Sequence, residues 1–334
     1  MSVQTTAINA SINVGVVAFG CWFGWCLTAQ EQILSLVLAC STAVVLSFAV
    51  VMWQPRFGKM SPDEFPSDLF QGIFGNRNSL APVCVLGLLA LVGFIATRPT
   101  AGVVAAAGLL AIPHVYLLQG SSGATSIASF GVSVLTACVI PVVWLLRKRR
   151  AHGAVVVGAA VVLSVGSVVW GLANVDRLST ALNRGNTLTG RRPIWSDVVG
   201  FIRVHPIRGY GYWAFWDRPE LTHDSYIRLK SSYGSAHNSA LEVMLGLGVV
   251  GLVLYLAIGL WALVGLSRLA WFQPSLRSWW WASVFAIVVV QNLTESFVLW
   301  HSYLWVLFVA AALVPFNKSD PALVRESEPV VITS

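Results

Sequence analysis

Long, uninterrupted apolar runs constrain the fold of this chain more than any other feature. A helix that spans a bilayer needs about 20 mostly apolar residues. Runs that approach this length lie at 11–29, 32–53, 79–97, 100–118, 125–146, 151–172, 239–264, 278–296 and 298–316. Charged residues make up only 10% of the chain, against about a quarter in soluble domains. We therefore predict an all-α polytopic membrane protein with about nine transmembrane helices.

Cations in a short loop set the predicted topology. The densest cluster, residues 147–150, contains only Arg and Lys, which places that loop in the cytoplasm. The predicted domains are transmembrane helices one to six (1–172), an external, periplasmic-side loop that holds the active site (173–238), helices seven to nine (239–316) and a disordered cytoplasmic tail (317–334). The protein is expected to lie in the cytoplasmic (inner) membrane.

The external loop is more basic than is usual for its side of the membrane. It holds nine Arg and Lys residues against five Asp and Glu residues. One explanation is a solvated domain that crosses regardless of its charge, since long loops are partly exempt from the charge rule. The other is an anion-binding surface, because Arg offers phosphate groups a planar fork of donors. The second explanation predicts a lipid-linked phosphate or pyrophosphate as the ligand.

A short amphipathic helix is predicted near the middle of this loop. Pro193 favours a helix start, and apolar residues recur at helical spacing at positions 194, 195, 198, 201 and 202. The helix is expected to lie on the membrane with Arg191 and Arg192 at its positive end, where anions bind. Alternatively, the two arginines contact lipid headgroups.

Two turn signals follow this helix. His205–Pro206 is expected to end it, and Gly209–Gly211 permits a turn that brings the backbone close to a ligand. Ser239 and Glu242 then fit a capping box that starts the seventh apolar run. His237 is expected at that rigid helix end, where a neutral imidazole can accept a proton from a hydroxyl. The alternative is a histidine that is hydrogen-bonded within the cap.

Polar residues also occur at the ends of apolar runs. Near the end of the eighth run they are Gln291, Asn292, Thr294 and Glu295. Such groups are costly at membrane depth unless they serve packing or function, and we favour packing between helices. Residues 76–78 are expected to cap the third predicted helix, and Arg77 is expected to add a cation to the site.

Four stretches of the chain together resemble the bacterial O-antigen ligase and polysaccharide polymerase superfamily, especially its exopolysaccharide polymerase branch. They are Gly72–Leu80, Thr189–Arg191 with Trp195, His205–Pro206 with Gly209–Gly211, and Ala236–Asn238 with Leu241–Glu242. Their order and the placement of the last three around one long external loop also match. The resemblance covers roughly residues 70–316.

This resemblance implies a metal-independent glycosyltransferase without cofactors. Such an enzyme transfers a glycan from an undecaprenyl-pyrophosphate donor onto a hydroxyl of a glycan acceptor at the outer face of the cytoplasmic membrane. The implied catalytic residues are Arg191, which would bind the pyrophosphate, and His237, which would activate or orient the hydroxyl. The predicted substrate-binding residues are Arg77, Arg192, Arg203, Arg208, Tyr210 and Asn238. Other expected partners are the lipid bilayer and polysaccharide assembly proteins, and no nucleic acid is expected.

Two departures from the family leave alternatives open. Family members often have further amino-terminal helices, so this chain resembles a shortened member. Residues 121–125 carry no cation where ligases often have an arginine, which favours a polymerase over an O-antigen ligase with a lipid or protein acceptor. A membrane transporter and a non-catalytic assembly component are the other hypotheses, although transporters tend to place charges near the membrane midplane.

Overall fold

A computed structural model of the chain describes residues 3–60, 69–148, 191–216, 234–298 and 301–317. In chain order the helices are α1 (Val3–Cys26), α2 (Ala29–Trp53), α3 (Pro55–Gly58), α4 (Arg77–Thr97), α5 (Ala101–Ser121), α6 (Ala124–Lys148), α7 (Arg191–Val204), α8 (Ser239–Phe272), α9 (Leu276–Thr294) and α10 (Tyr303–Leu313). Short 3-10 helices lie at Gly72–Phe74 and Val314–Phe316. The predicted all-α class is confirmed for the described residues.

Several of these helices are long and apolar enough to cross a membrane. Within the described ranges they are Thr6–Cys26, Ala29–Trp53, Arg77–Thr97, Ala101–Ser121 and Ser239–Phe272. The predicted polytopic membrane fold is thereby confirmed. The side of the membrane on which each loop lies stays a prediction.

Several predictions fall on residues that the structure does not describe. The sixth apolar run (151–172) lies outside the described residues, as do positions 149 and 150 of the basic cluster. The same holds for residues 173–190 and 217–233 of the predicted external loop and for the tail from residue 318 onward. The predicted domain boundaries therefore stay predictions.

The chain divides into two compact units. The first comprises Met1–Phe19, Cys138–Trp261 and Asn292–Phe308, and the second comprises Gly20–Ala137, Ala262–Gln291 and Val309–Ser334. In the second unit, α4 packs against both α2 and α5. Helix α4 begins as predicted, because the side chain of Asn76 accepts a hydrogen bond of 2.7 Å from the backbone N–H of Asn78.

The core of the first unit forms around the apolar face of α7. Ile194, Val198 and Ile202 are 4%, 2% and 8% exposed, and they pack with Phe215 and Leu245. Burying each such side chain contributes about 1.5–3 kcal/mol. The predicted amphipathic helix is therefore confirmed. Protein side chains cover its apolar face, and the prediction that the helix lies on the membrane stays a prediction.

Helix α8 is interrupted at Gly248, where the backbone has φ 67° and ψ −164°. The segment after α7 pairs with the chain on both sides of this break. The backbone N–H of Tyr210 donates to Leu245 O at 2.9 Å, and that of Val249 donates to Pro206 O at 2.8 Å. The sequence predicts an uninterrupted helix from 239 to 264, and this prediction is wrong because the paired segment replaces hydrogen bonds within the helix.

We expect Gly248→Ala to lower the free energy of unfolding by about 3 kcal/mol or more. A Cβ at this position would lie 2.1 Å from the carbonyl oxygen of Ile207, and the backbone conformation is nearly restricted to glycine. Gly200→Ala in α7 is the matched control, since a Cβ there meets no atom within 4 Å. Thermal unfolding of the two purified variants in detergent measures the difference. Equal unfolding midpoints would show that the close approach at Gly248 does not matter.

Candidate active site

Two side chains from distant parts of the chain contact the carboxylate of a third residue. Arg191 is the first residue of α7, His237 lies in the turn before α8, and Glu295 directly follows α9. Oε2 of Glu295 lies 2.8 Å from Nδ1 of His237, and Oε1 accepts a hydrogen bond from Nη2 of Arg191. All three belong to the first unit. The two residues that the sequence predicts as catalytic are thus joined by a third.

Burial differs among the three side chains. Glu295 is 9% exposed, Arg191 is 14% exposed and His237 is 25% exposed. The carboxylate is therefore largely shielded from water, which strengthens its attraction to the guanidinium. The imidazole and the guanidinium still reach the surface, where a substrate can contact them.

The turn that carries His237 is fixed on both sides. His237 has φ 47°, a left-handed conformation that costs free energy and persists only when its surroundings hold it. Before it, the carbonyl oxygen of Ala236 accepts a hydrogen bond of 3.0 Å from Nε1 of Trp195. After it, the backbone N–H of Asn238 donates to Oγ of Ser296 at 3.1 Å. These hydrogen bonds fix the backbone of His237 and so limit where its imidazole can lie.

Asn238 caps α8 and ties it to α9. Its Oδ1 accepts from the backbone N–H of Leu241 at 3.0 Å, which is the geometry of an N-cap. Its Nδ2 donates to the carbonyl oxygen of Leu293 at 2.9 Å. Both ends of the amide thus serve the fold, and the substrate-binding role predicted for Asn238 gains no support from this geometry.

The capping box predicted for Ser239 and Glu242 is wrong. Asn238 supplies the cap instead, and Glu242 reaches further back along the chain. Its carboxylate accepts from the backbone N–H of Ala236 and from Nε1 of Trp216, each at 2.6 Å. Ser and Glu three residues apart fit a capping box by spacing alone. In the structure, the Glu242 carboxylate instead accepts hydrogen bonds from residues outside the helix.

The start of α8 also positions Glu295. Oγ of Ser239 lies 3.1 Å from the carbonyl oxygen of Glu295, and it donates to Oδ1 of Asn292. The backbone N–H of Val298 lies within 3.3 Å of Oγ of Ser239 and 3.1 Å of Oδ1 of Asn292. The turn after α9 is therefore fastened to the start of α8, which brings Glu295 beside His237.

Donor and acceptor atoms remain available on both predicted catalytic residues. An ionised carboxylate only accepts hydrogen bonds, so a neutral imidazole in this contact would donate from Nδ1 and keep a lone pair on Nε2. Arg191 has five N–H donors, and its bond to Glu295 uses one of them. Among the described residues, neither Nε2 of His237 nor the other N–H groups of Arg191 have a hydrogen-bond partner. A proton acceptor thus lies beside a cationic fork of donors.

Two predicted substrate-binding arginines lie away from this cluster. Arg203 is near the other end of α7 from Arg191, about 18 Å further along the helix axis. Arg208 follows the end of that helix, and both side chains are exposed. The structure does not bring them to Glu295, and their binding roles stay predictions.

Tyr210 is part of the core rather than of an open site. The side chain is 7% exposed, and its hydroxyl donates to the carbonyl oxygen of Phe201 at 3.2 Å. Its ring packs edge-on against Phe215, with centroids 5.1 Å apart. The predicted substrate-binding role gains no support from this placement. Burial also raises the pKa of the nearby Tyr212 phenol, so that group stays neutral.

The remaining two predicted binding residues are Arg192 and Arg77. Arg192 lies in the first turn of α7, but its side chain falls outside the described part of the structure. Arg77 is the first residue of α4 and belongs to the second unit. The roles of both residues stay predictions.

Known proteins show a clear similarity to this chain. The family model described as O-antigen ligase matches residues 107–256, a range that includes Arg191 and His237. The exopolysaccharide production protein ExoQ of Rhizobium meliloti (strain 1021) is 26% identical to this chain over 213 residues. The predicted resemblance is confirmed. That alignment covers 61% of this chain and 48% of ExoQ, so the chain spans about half the length of this relative.

Proposed function

We propose that the protein is a membrane glycosyltransferase of the polysaccharide polymerase or ligase type. It transfers oligosaccharide repeat units from an undecaprenyl-pyrophosphate carrier onto a hydroxyl of a glycan acceptor, at the outer face of the cytoplasmic membrane. Similarity to the O-antigen ligase family and to an exopolysaccharide production protein supports this proposal. The helices that are long and apolar enough to cross a membrane also support a lipid-linked donor, because such a carrier is itself a membrane molecule.

The observation that carries the proposal is the shared contact of Arg191 and His237 with Glu295. A glycosyl transfer from a diphosphate needs a cation at the leaving group and a proton acceptor at the attacking hydroxyl. Arg191 and His237 both contact Glu295, with Nδ1 of His237 2.8 Å from the carboxylate, and this proximity supports assigning the two roles to them. A hydrophobic helical bundle without this pair would offer no such chemistry.

Arg191 would hold the diphosphate of the donor. Its guanidinium can bind phosphate oxygens through two parallel hydrogen bonds, and its position at the first turn of α7 adds the partial positive charge of a helix start. As the bond between the sugar carbon and the phosphate oxygen breaks, the electron pair leaves with the diphosphate. Arg191 stabilises the charge that develops there, so we propose that no metal ion takes part.

His237 would activate the acceptor. Its neutral imidazole accepts the hydroxyl proton at Nε2 while the hydroxyl oxygen forms the new bond to the sugar carbon. The proton then rests on the imidazolium, and the departing diphosphate carries the negative charge. The enzyme returns to its starting state when the imidazolium releases this proton to water.

Reconstitution tests the function directly. Purified protein in lipid vesicles with an undecaprenyl-pyrophosphate-linked repeat unit is expected to produce longer glycans and one free undecaprenyl pyrophosphate per linkage formed. Growth with the donor alone indicates a polymerase, whereas growth only with an added lipid or protein acceptor indicates a ligase. Chelation with EDTA is expected to leave the rate unchanged. Folded protein that releases no carrier with any of these acceptors would contradict the proposed function.

A further inference from the structure

Glu295 belongs to none of the motifs that predict the site. It lies beyond residues 107–256, which match the O-antigen ligase family. It is 58 residues from His237 and 104 residues from Arg191 along the chain. Its two carboxylate oxygens nevertheless contact these two side chains separately. The carboxylate is only 9% exposed, and each of its oxygens contacts a different side chain. These contacts hold Glu295 in one position between His237 and Arg191.

We propose that Glu295 is the positioning residue of this site. Its carboxylate keeps the proton of the neutral imidazole on Nδ1 of His237, so that Nε2 is the atom that accepts the proton of the acceptor hydroxyl. Glu295 acts through His237 and Arg191 and touches neither sugar. This role rests on the proposed function, because it presupposes that His237 is the proton acceptor.

The hydrogen-bonding capacity of each group determines the tautomer. A neutral imidazole has one N–H and one lone pair, and its partners decide which nitrogen carries which. Oε2 of Glu295 can only accept at the 2.8 Å contact with Nδ1. Nδ1 must therefore donate, and the lone pair is on Nε2. When Nε2 takes up the hydroxyl proton, the carboxylate also stabilises the resulting imidazolium.

The neighbouring charged groups indicate that Glu295, rather than Glu242, holds the proton on Nδ1 of His237. Within the described ranges, Glu242 is a second carboxylate that interacts electrostatically with His237. Its oxygens already accept hydrogen bonds from the backbone N–H of Ala236 and from Nε1 of Trp216. Arg191 contacts the opposite oxygen of Glu295, so its charge partly balances the carboxylate in the resting site. One carboxylate therefore fixes both the proton acceptor and the diphosphate-binding cation.

The substitution Glu295→Gln is expected to change the tautomer of His237 while it keeps the shape of the site. Glutamine keeps the size of the side chain but has one acceptor oxygen and one NH₂ group. The charged guanidinium of Arg191 is the stronger donor, so it is expected to keep the amide oxygen. The NH₂ group then faces Nδ1 of His237, which must accept, and the proton moves to Nε2. That tautomer cannot take a proton from a hydroxyl at Nε2.

Nitrogen NMR of histidine-labelled protein in detergent measures this change without any substrate. The chain has six histidines, and the signals of His237 are identified by their absence in His237→Gln. We expect the Nδ1–H tautomer in the wild-type protein and the Nε2–H tautomer in Glu295→Gln. Ser296→Ala is the matched control, because it loosens the same turn by removing the hydroxyl bonded to the backbone of Asn238 but keeps the Glu295 carboxylate, so the Nδ1–H tautomer is expected to persist. An Nε2–H tautomer in the wild-type protein, or no change in Glu295→Gln, would overturn the proposal.

Chain growth in vesicles provides the second readout. Glu295→Gln is expected to lower the rate by about 100-fold or more, as loss of the carboxylate behind a catalytic histidine does elsewhere. Glu295→Asp keeps the charge and is expected to recover part of the loss. If His237→Ala is inactive while Glu295→Gln is fully active, the positioning role fails and the proposed function stands. If both variants are fully active, the proposed function itself fails.

Discussion

Replacing His237 by alanine is expected to slow glycan chain growth by about 1000-fold or more, since general base catalysis contributes about 100- to 10,000-fold. The variant loses Nε2 of His237, the atom to which we assign proton uptake, on the far side of the ring from the contact between Nδ1 and Glu295. Product length on gels and the initial rate of carrier release from vesicles measure the effect. The amount of membrane-inserted protein is expected to equal that of the wild-type protein.

Two further variants separate loss of chemistry from loss of fold. His237 has a left-handed backbone, which asparagine adopts more readily than alanine does, so His237→Asn is expected to fold and remain inactive. His205→Ala is the matched histidine control, because His205 is exposed and its ring packs against Tyr210 with centroids 4.8 Å apart. It is expected to keep most of the rate. Normal-length polymer from both His237 variants would contradict the assigned role.

Replacing Arg191 by alanine is expected to lower kcat/KM for the lipid-linked donor by about 100- to 1000-fold, the usual cost of losing one group that stabilises developing negative charge. The loss arises because the diphosphate would leave without a cation beside it. Arg191→Lys is expected to have an intermediate rate, because lysine keeps the charge but lacks the planar fork of donors. Initial rates measured over a range of donor concentrations give kcat/KM for each of the two variants.

Arg203→Ala provides the comparison on the same helix. Arg203 lies about 18 Å from Arg191 along the axis of α7, and its side chain is exposed. We expect a smaller loss in kcat/KM from this change than from Arg191→Ala. Equal losses from the two substitutions would mean that general basic charge, rather than the contact of Arg191 with Glu295, supports the reaction.

The sequence predicts the helices well because bilayer thickness imposes a length and an apolar composition that are visible in any stretch of the chain. It does not predict the break at Gly248. A glycine within an apolar run is compatible with a continuous helix, and the segment that replaces the helical hydrogen bonds, around Pro206 and Tyr210, is remote in sequence. The break therefore depends on a tertiary contact that no local pattern shows.

The residues of the site also differ in whether local sequence patterns or only tertiary contacts reveal them. Arg191 and His237 could be singled out because each lies in a stretch that resembles the family and beside a predicted helix end, and the structure brings both to Glu295. Glu295 could not, because the sequence alone favours packing between helices as the role of this residue. Its placement depends on the contacts of Ser239 with Asn292 and with the backbone of Glu295, which join two helix ends that are far apart along the chain. A lone carboxylate at the end of an apolar run was the only signal in the sequence.

The central claim is that Arg191 and His237 act together in one site on a lipid-linked diphosphate. The most direct test is the initial rate of undecaprenyl pyrophosphate release by the wild-type protein, the two alanine variants and the double variant in the same vesicles. Residues that act as a unit show strongly non-additive losses, so the double variant is expected to be about as slow as the slower single variant. Losses that multiply in the double variant, or wild-type rates in either single variant, would contradict the claim.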